Sequence, residues 1–137
     1  MSVAADSLVN WTAFSQARAE LGSNFVRILG YFREDGVKSV GQIEEAMRAR
    51  SAAALVLPAH TLKGEARQFG ADPLAELAET IEVIARDCVE NRETPEQALE
   101  QVVALRPMFE ATLGLLERDS NPLVERRPMS FGRRAAL

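Results

Sequence analysis

Apolar side chains recur at steps of three and four almost without a break from Trp11 to Leu116, and the strict alternation of a half-buried strand never replaces them. That pattern restricts the chain to an all-α fold in which each amphipathic stretch buries one stripe against its neighbours. Glycines, prolines and capping residues divide it. A short first helix is predicted over about Asn10–Leu21, with Trp11, Phe14 and Leu21 on one side and Gly22 as its stop. Ser23 is the expected cap of a long second helix whose stripe is Phe25, Leu29, Phe32, Gly36, Val40, Ile43 and Met47. Gly36 and Gly41 weaken that helix, each costing up to about 1 kcal/mol against alanine.

Ser51 opens a third helix to about Phe69, carrying Leu55, Ala59, Leu62, Ala66 and Phe69, and Gly70 ends it. Pro58 lies inside and removes one donor, so a bend is expected near Ala54. Asp72–Pro73 reads as a cap followed by a first-turn proline, opening a fourth helix that buries Leu74, Leu77, Ala78, Ile81, Ile84, Ala85 and Cys88. Thr94-Pro95-Glu96-Gln97 reads as a capping box for a fifth, with Leu99, Val102, Leu105, Phe109, Leu113 and Leu116 inward and a bend at Pro107. The last four helices are joined by only a few residues, which favours antiparallel neighbours. The expectation is an antiparallel four-helix bundle over residues 1–118, with the short N-terminal helix packed at one end. Regular periodicity is lost afterwards, and residues 119–137 read as a mobile basic tail.

Composition then removes whole classes of chemistry. There is one cysteine, Cys88, and one histidine, His60. Two such ligands cannot complete a structural zinc site, and no internal disulfide can form. A lone thiol suits a reducing compartment. The net charge of −4 gives no support to nucleic-acid binding. Its distribution is uneven: residues 1–118 hold 12 basic against 18 acidic side chains, while Arg126, Arg127, Arg133 and Arg134 outnumber Asp119 and Glu125 beyond. No apolar run approaches the roughly 20 residues of a membrane span, and Met1–Asn10 lacks the features of a signal peptide. A soluble cytoplasmic protein with no membrane contact is expected. None of the eight glycines forms a GxG, GxxxxGK or GxSxG pattern, so nucleotide binding is not expected. One histidine would be enough for a Ser–His–Asp site, but such triads usually sit on loops or strand ends rather than on small helical bundles. Glu44, Glu45, Glu76, Glu79 and Glu82 read as a solvated acidic face.

The informative stretch is Ala59-His60-Thr61-Leu62-Lys63-Gly64-Glu65-Ala66-Arg67. At about 100° per residue, His60, Lys63, Gly64 and Arg67 form a second stripe roughly 130° from the apolar one. His60 should therefore be exposed near mid-helix between cations. Lys63 and Arg67 could stabilise a phosphoryl group arriving on the imidazole, and nearby positive charge favours the neutral, nucleophilic ring. Gly64 is poor helix chemistry, yet it clears the surface one turn beyond His60. Spacing alone leaves two readings open: a docking face around a working histidine, or a solvated face in which Gly64 only permits close helix packing.

Ala59-His60-Thr61-Leu62-Lys63-Gly64, then Ala66 and Gly70-Ala71, followed by Leu74, Ala78 and Glu82, resembles the histidine-containing phosphotransfer (HPt) domain family. The stretch Leu21-Gly22-Ser23-Asn24-Phe25 through Phe32 is similar to helices preceding that motif, and the resemblance spans roughly residues 8–117. It implies a phosphorelay protein in which His60 takes a phosphoryl group from a receiver-domain aspartate and passes it to another receiver. It also implies Lys63 as the electrostatic partner, Gly64 as the gap that admits the receiver, and Arg67 assisting at the rim. Response-regulator receivers and a hybrid or separate histidine kinase are the implied partners. This chain would need no cofactor, because Mg²⁺ is expected in the receiver. Glu65 and Pro58 depart from the family's usual pattern. An apolar rim for docking would draw on Leu57, Pro58, Thr61 and Phe69 by helical phase.

Three other readings compete. A non-catalytic helical adaptor would bind a receiver without being phosphorylated. The dimerisation half of a sensor kinase would need an ATP-binding domain that this chain does not contain, whereas a monomer is expected here. A hydrolase lacks a second convergent group.

Overall fold

The computed structural model describes residues 5–120, and among these no residue is in a strand. Five α-helices follow in order: α1 Trp11–Leu21, α2 Phe25–Arg48, α3 Ala52–Gln68, α4 Asp72–Asn91 and α5 Leu99–Ser120. Short 3₁₀ turns at Ala5–Leu8, Gly22–Asn24 and Pro95–Ala98 precede or join them. The expected basic tail falls almost wholly outside the described residues, although α5 runs through Asp119 to Ser120.

Local chemistry sets several boundaries as the residue types dictate. The Asn10 side chain accepts from the Ala13 N–H and the Ser51 hydroxyl from the Ala54 N–H, capping α1 and α3. Gly22 and Gly70 both take positive φ, 57° and 76°, and stop the helices before them. Three boundaries differ from the sequence reading. Ser23 does not cap α2, because the chain stays helical through the Gly22–Asn24 turn and never makes the extended break a cap requires. Helix α4 begins one residue early, with Ala71 at the cap position and Asp72 already helical. Thr94 opens a 3₁₀ turn rather than a capping box, and its hydroxyl donates to the Glu96 carboxylate. That tighter turn shifts the phase entering α5, so Pro95 and Ala98 point inward and Leu99, expected in the core, is 50% exposed.

Helix α2 runs unbroken through Gly36 and Gly41. At Gly36 the reason is packing, since a Cβ there would stand 2.4 Å from Phe109 Cε1. Helix α3 is likewise continuous through Pro58.

The bundle core joins α2 to α3, α3 to α4, and α5 to both α2 and α4. Cross-helix pairs fix the directions. Arg33 near the start of α2 meets Glu117 near the end of α5, whereas Glu44 near the end of α2 meets Arg106 near the start of α5. On the other side, Arg67 pairs with Glu79 while the earlier Lys63 pairs with the later Glu82, so α3 and α4 are antiparallel too. A chain of aromatic contacts (Phe14, Phe25, Phe69, Phe32, Phe109), with centroids 5.3–5.9 Å apart, runs through the interior. Helix α1 is tied to the turn after α3 by the Asn10 N–H on the Gly70 carbonyl, 2.7 Å, and to the end of α5 by Arg18 on the Asp119 carbonyl. The α3–α4 pair leaves the outer side of α3 open, and His60 stands there.

Candidate functional site

The buried stripe of α3 (Leu55, Ala59, Leu62, Ala66) rotates His60 to the outer edge facing α4, where its side chain is 56% exposed. Its Nδ1 lies 3.0 Å from Glu82 Oε2 on α4. Glu82 is itself only 4% exposed. The same oxygen receives the Nε and Nη2 groups of Arg86 at 3.0 and 2.8 Å, while Lys63 Nζ stands 2.8 Å from Oε1. Burial pushes the Glu82 carboxyl upward, but hydrogen bonds from Lys63, Arg86 and His60 override it and hold the group down at about 2. Glu82 is therefore an anion at any ordinary pH and can only accept. It follows that the proton of a neutral His60 sits on Nδ1, leaving the Nε2 lone pair free on the exposed side of the ring. With two cations on one carboxylate, the cluster around the His60–Glu82 pair keeps one positive charge in surplus.

Glu82 is the member of this cluster that the reading of charges missed, having been placed on a solvated face. It lies four residues after the buried Ala78 and one after the buried Ile81, at the edge of the α4 apolar stripe, where a buried carboxylate is tolerated only with strong partners. Arg86, one turn further on, was missed with it. Glu44 was also misplaced as solvated; it is half-buried and takes both Nε and Nη2 of Arg106 at 2.9 and 2.8 Å.

The four residues singled out in the sequence share one side of α3 but differ in role. Lys63, expected on the exposed stripe, is only 17% exposed because it reaches inward to Glu82. A Cβ on Gly64 would meet no atom of the described residues within 4 Å, which removes close packing among them as its reason. Arg67 is held by Glu79 at 2.8 Å and, two turns along the helix, lies about 10 Å from His60 by axial rise. Of the expected rim, Leu57 is exposed and Thr61 half-buried, but Pro58 and Phe69 are core residues. Phe69 packs on Phe25 and Phe32, since its phase follows Leu62 rather than Thr61.

Glu65, five residues after His60, is half-buried with its carboxyl pushed up to about 7, chiefly by burial and then by Asp35 on α2. Among the described residues no group of three or more His, Cys, Asp or Glu side chains is placed to hold a metal ion. Nor is any described helix long and apolar enough to cross a membrane.

Comparison with family models matches the Hpt domain over residues 27–115. Among solved structures, the chain is similar to histidine-containing phosphotransfer protein B (HptB) from Pseudomonas aeruginosa PAO1, with a TM-score of 0.73 at 20% identity. The match covers 82% of this chain and 93% of that one, and at such identity it bears on the fold. No curated protein matches.

Proposed function

This chain belongs to the Hpt domain family, the histidine phosphotransfer modules of phosphorelays, and from that membership we propose that His60 is the residue that carries the phosphoryl group. The observation that supports this reading is the pairing of the chain's single histidine with a buried anion. Glu82 accepts a hydrogen bond from the Nδ1–H, which leaves Nε2 as the unprotonated nitrogen.

Hpt domains work with receiver domains and kinases, so the donor in the proposed reaction is a receiver's aspartyl phosphate. The Nε2 lone pair attacks phosphorus, the N–P bond forms as the acyl O–P bond breaks, and the aspartate leaves as a carboxylate. No proton has to move. The phosphorylated ring keeps its Nδ1–H and becomes cationic, and that positive charge rests against Glu82 at 3.0 Å. Return transfer to a second receiver's carboxylate reverses each step. Lys63 and Arg86 neutralise Glu82 and leave surplus positive charge for the incoming phosphoryl oxygens. Gly64 leaves room for the receiver to approach, and Arg67, paired with Glu79, sits at the rim. The receiver would supply Mg²⁺. The working unit is residues 1–118, acting as a monomer in the cytoplasm.

The test is label transfer. Incubation with a radiolabelled, phosphorylated receiver should place acid-labile, alkali-stable label on the wild type and none on His60→Gln. Label persisting on that variant would falsify the assignment. Lys63→Ala should slow transfer while the helical signal in circular dichroism stays intact.

A further inference from the structure

Glu65 takes no part in the phosphoryl chemistry, departs from the family's usual pattern, and stands on the same helix as His60, five residues on. We propose that Glu65 and Asp35, which meet across the α2–α3 seam, form a proton switch on the receiver's access to His60. With one proton between them they let a phosphorylated receiver close on the site, and without it they oppose the receiver's charge. The proposal deepens the reading of His60 as phosphoryl carrier and rests on it.

The Glu65 and Asp35 side chains are hydrogen-bonded to each other. Carboxylates can only accept, so this contact requires a proton on one of the two. Asp35 is exposed and Glu65 half-buried, and water solvates the exposed anion better, so the proton belongs on Glu65. Its Oε1 is buried with no hydrogen-bond partner among the described residues. While the carboxyl is protonated, that oxygen is a neutral acceptor; ionisation would put charge on it with nothing to receive it. The Glu65 carboxyl is accordingly pushed up to about 7, chiefly by burial and then by Asp35.

No cation offsets the pair. Among the described residues Asp35 is the one charged group that acts on Glu65. Lys38, one turn beyond Asp35 on α2, pairs with neither carboxyl. On α3 and α4, Lys63, Arg67, Glu79, Glu82 and Arg86 are engaged with one another. When the Glu65 O–H bond breaks, its proton passes to solvent and the pair goes from one negative charge to two. That outweighs the single positive charge in surplus around His60 and Glu82.

Glu65 stands about 7.5 Å beyond His60 along the helix axis. A folded domain of some 100 residues has a radius of gyration of about 13 Å, so a receiver resting over Nε2 covers or borders the pair. It brings a phosphoryl group and the aspartate that carries it. One added charge on the order of 10 Å from a doubly charged phosphoryl group changes a rate by about two- to fivefold after screening. The sign is fixed: transfer falls as pH rises through the titration of Glu65.

The experiment compares the wild type with Glu65→Gln, whose amide stays neutral and can still donate to Asp35. Transfer from a radiolabelled, phosphorylated receiver at subsaturating concentration is measured at pH 5 and pH 8. The ratio of the two chains at each pH removes the titrations of the receiver and of His60, which they share. The wild type should match Glu65→Gln at pH 5 and be about two- to fivefold slower at pH 8. That gap should shrink when salt is raised from 0.1 M to 1 M, where the screening length falls from about 10 Å to about 3 Å. Circular dichroism should show both chains folded throughout. By NMR, the Glu65 Cδ resonance should titrate at lower pH in Asp35→Asn than in the wild type. A ratio that does not change with pH, a gap that salt leaves untouched, or a Glu65 titration indifferent to Asp35 would each overturn the switch and leave the His60 reading intact. Label on His60→Gln would overturn that reading beneath it.

Discussion

A methyl group placed on Gly64 would meet no atom within 4 Å, whereas one on Gly36 would come within 2.4 Å of Phe109 Cε1. Both glycines are helical, so both weaken their helices, yet the substitution Gly→Ala should act with opposite sign. Gly64→Ala should stabilise the bundle by up to about 1 kcal/mol through helix propensity. Gly36→Ala should destabilise it by about 1–3 kcal/mol through overpacking against Phe109. Urea denaturation of the two variants checks both. If Gly64 serves the receiver's approach, Gly64→Gln should also slow receiver transfer while leaving stability at or above the wild-type level. Glu82 supplies a second prediction at this scale. Its carboxyl is held at about 2 against an ordinary 4.5, so it contributes stability fully above pH 4.5 and loses it as pH falls toward 2. The urea midpoint of the wild type should drop more steeply between pH 5 and pH 3 than that of Glu82→Gln. His60, Lys63 and Gly64 could be singled out because residue type and spacing put them on one side of a helix. Glu82 could be named only as part of a family motif, since its α3 partners lie 19 and 22 positions away in the sequence and meet it only after α3 and α4 pack.

Where whole elements meet, the α2–α3 contact holds a carboxylate that works against the fold. Burial, and then Asp35, push the Glu65 carboxyl up to about 7. The folded chain therefore binds that proton more tightly than the unfolded chain, whose glutamate titrates near 4.5. Glu65 contributes its stability fully below pH 4.5 and loses it as pH rises through about 7. Glu65→Gln keeps a neutral side chain at every pH, so it should raise the thermal midpoint at pH 8 and leave it little changed at pH 5. Melts at the two pH values decide this, and equal shifts at both would remove ionisation as the cause. Element boundaries were legible wherever a residue acts on its own backbone, as Asn10, Ser51, Gly22 and Gly70 do. They were misread where a 3₁₀ turn changes the phase. Leu99 continues the apolar spacing of α5 on paper, but three residues per turn through Pro95–Ala98 rotate it outward and bring Ala98 in.

For the molecule as a whole, uninterrupted helical periodicity and short connections were enough to read a helical bundle, because both follow from local spacing. The order of contacts around the bundle was not, since it depends on cross-helix pairs such as Arg33–Glu117 and Arg106–Glu44 that spacing cannot match. The same pairs bear on how much chain the bundle needs. Buried apolar residues extend from Leu8 to Leu116, and the last turn of α5 is still engaged, with Arg18 on the Asp119 carbonyl at 3.3 Å and the Ser120 hydroxyl on Glu117. Every group placed at the phosphoryl site lies between His60 and Arg86. A chain ending at Ser120 should therefore melt at the same temperature as the full sequence and accept label on His60 at the same rate from phosphoramidate. Removing Asp119 and Ser120 as well should lower the melt slightly, because Arg18 loses its partner on α5. Receiver transfer is the sensitive comparison. With receiver contact confined to the helical bundle, the chain ending at Ser120 should match the full chain at subsaturating receiver. A selective loss there would place part of the receiver's contact on the arginines beyond Ser120.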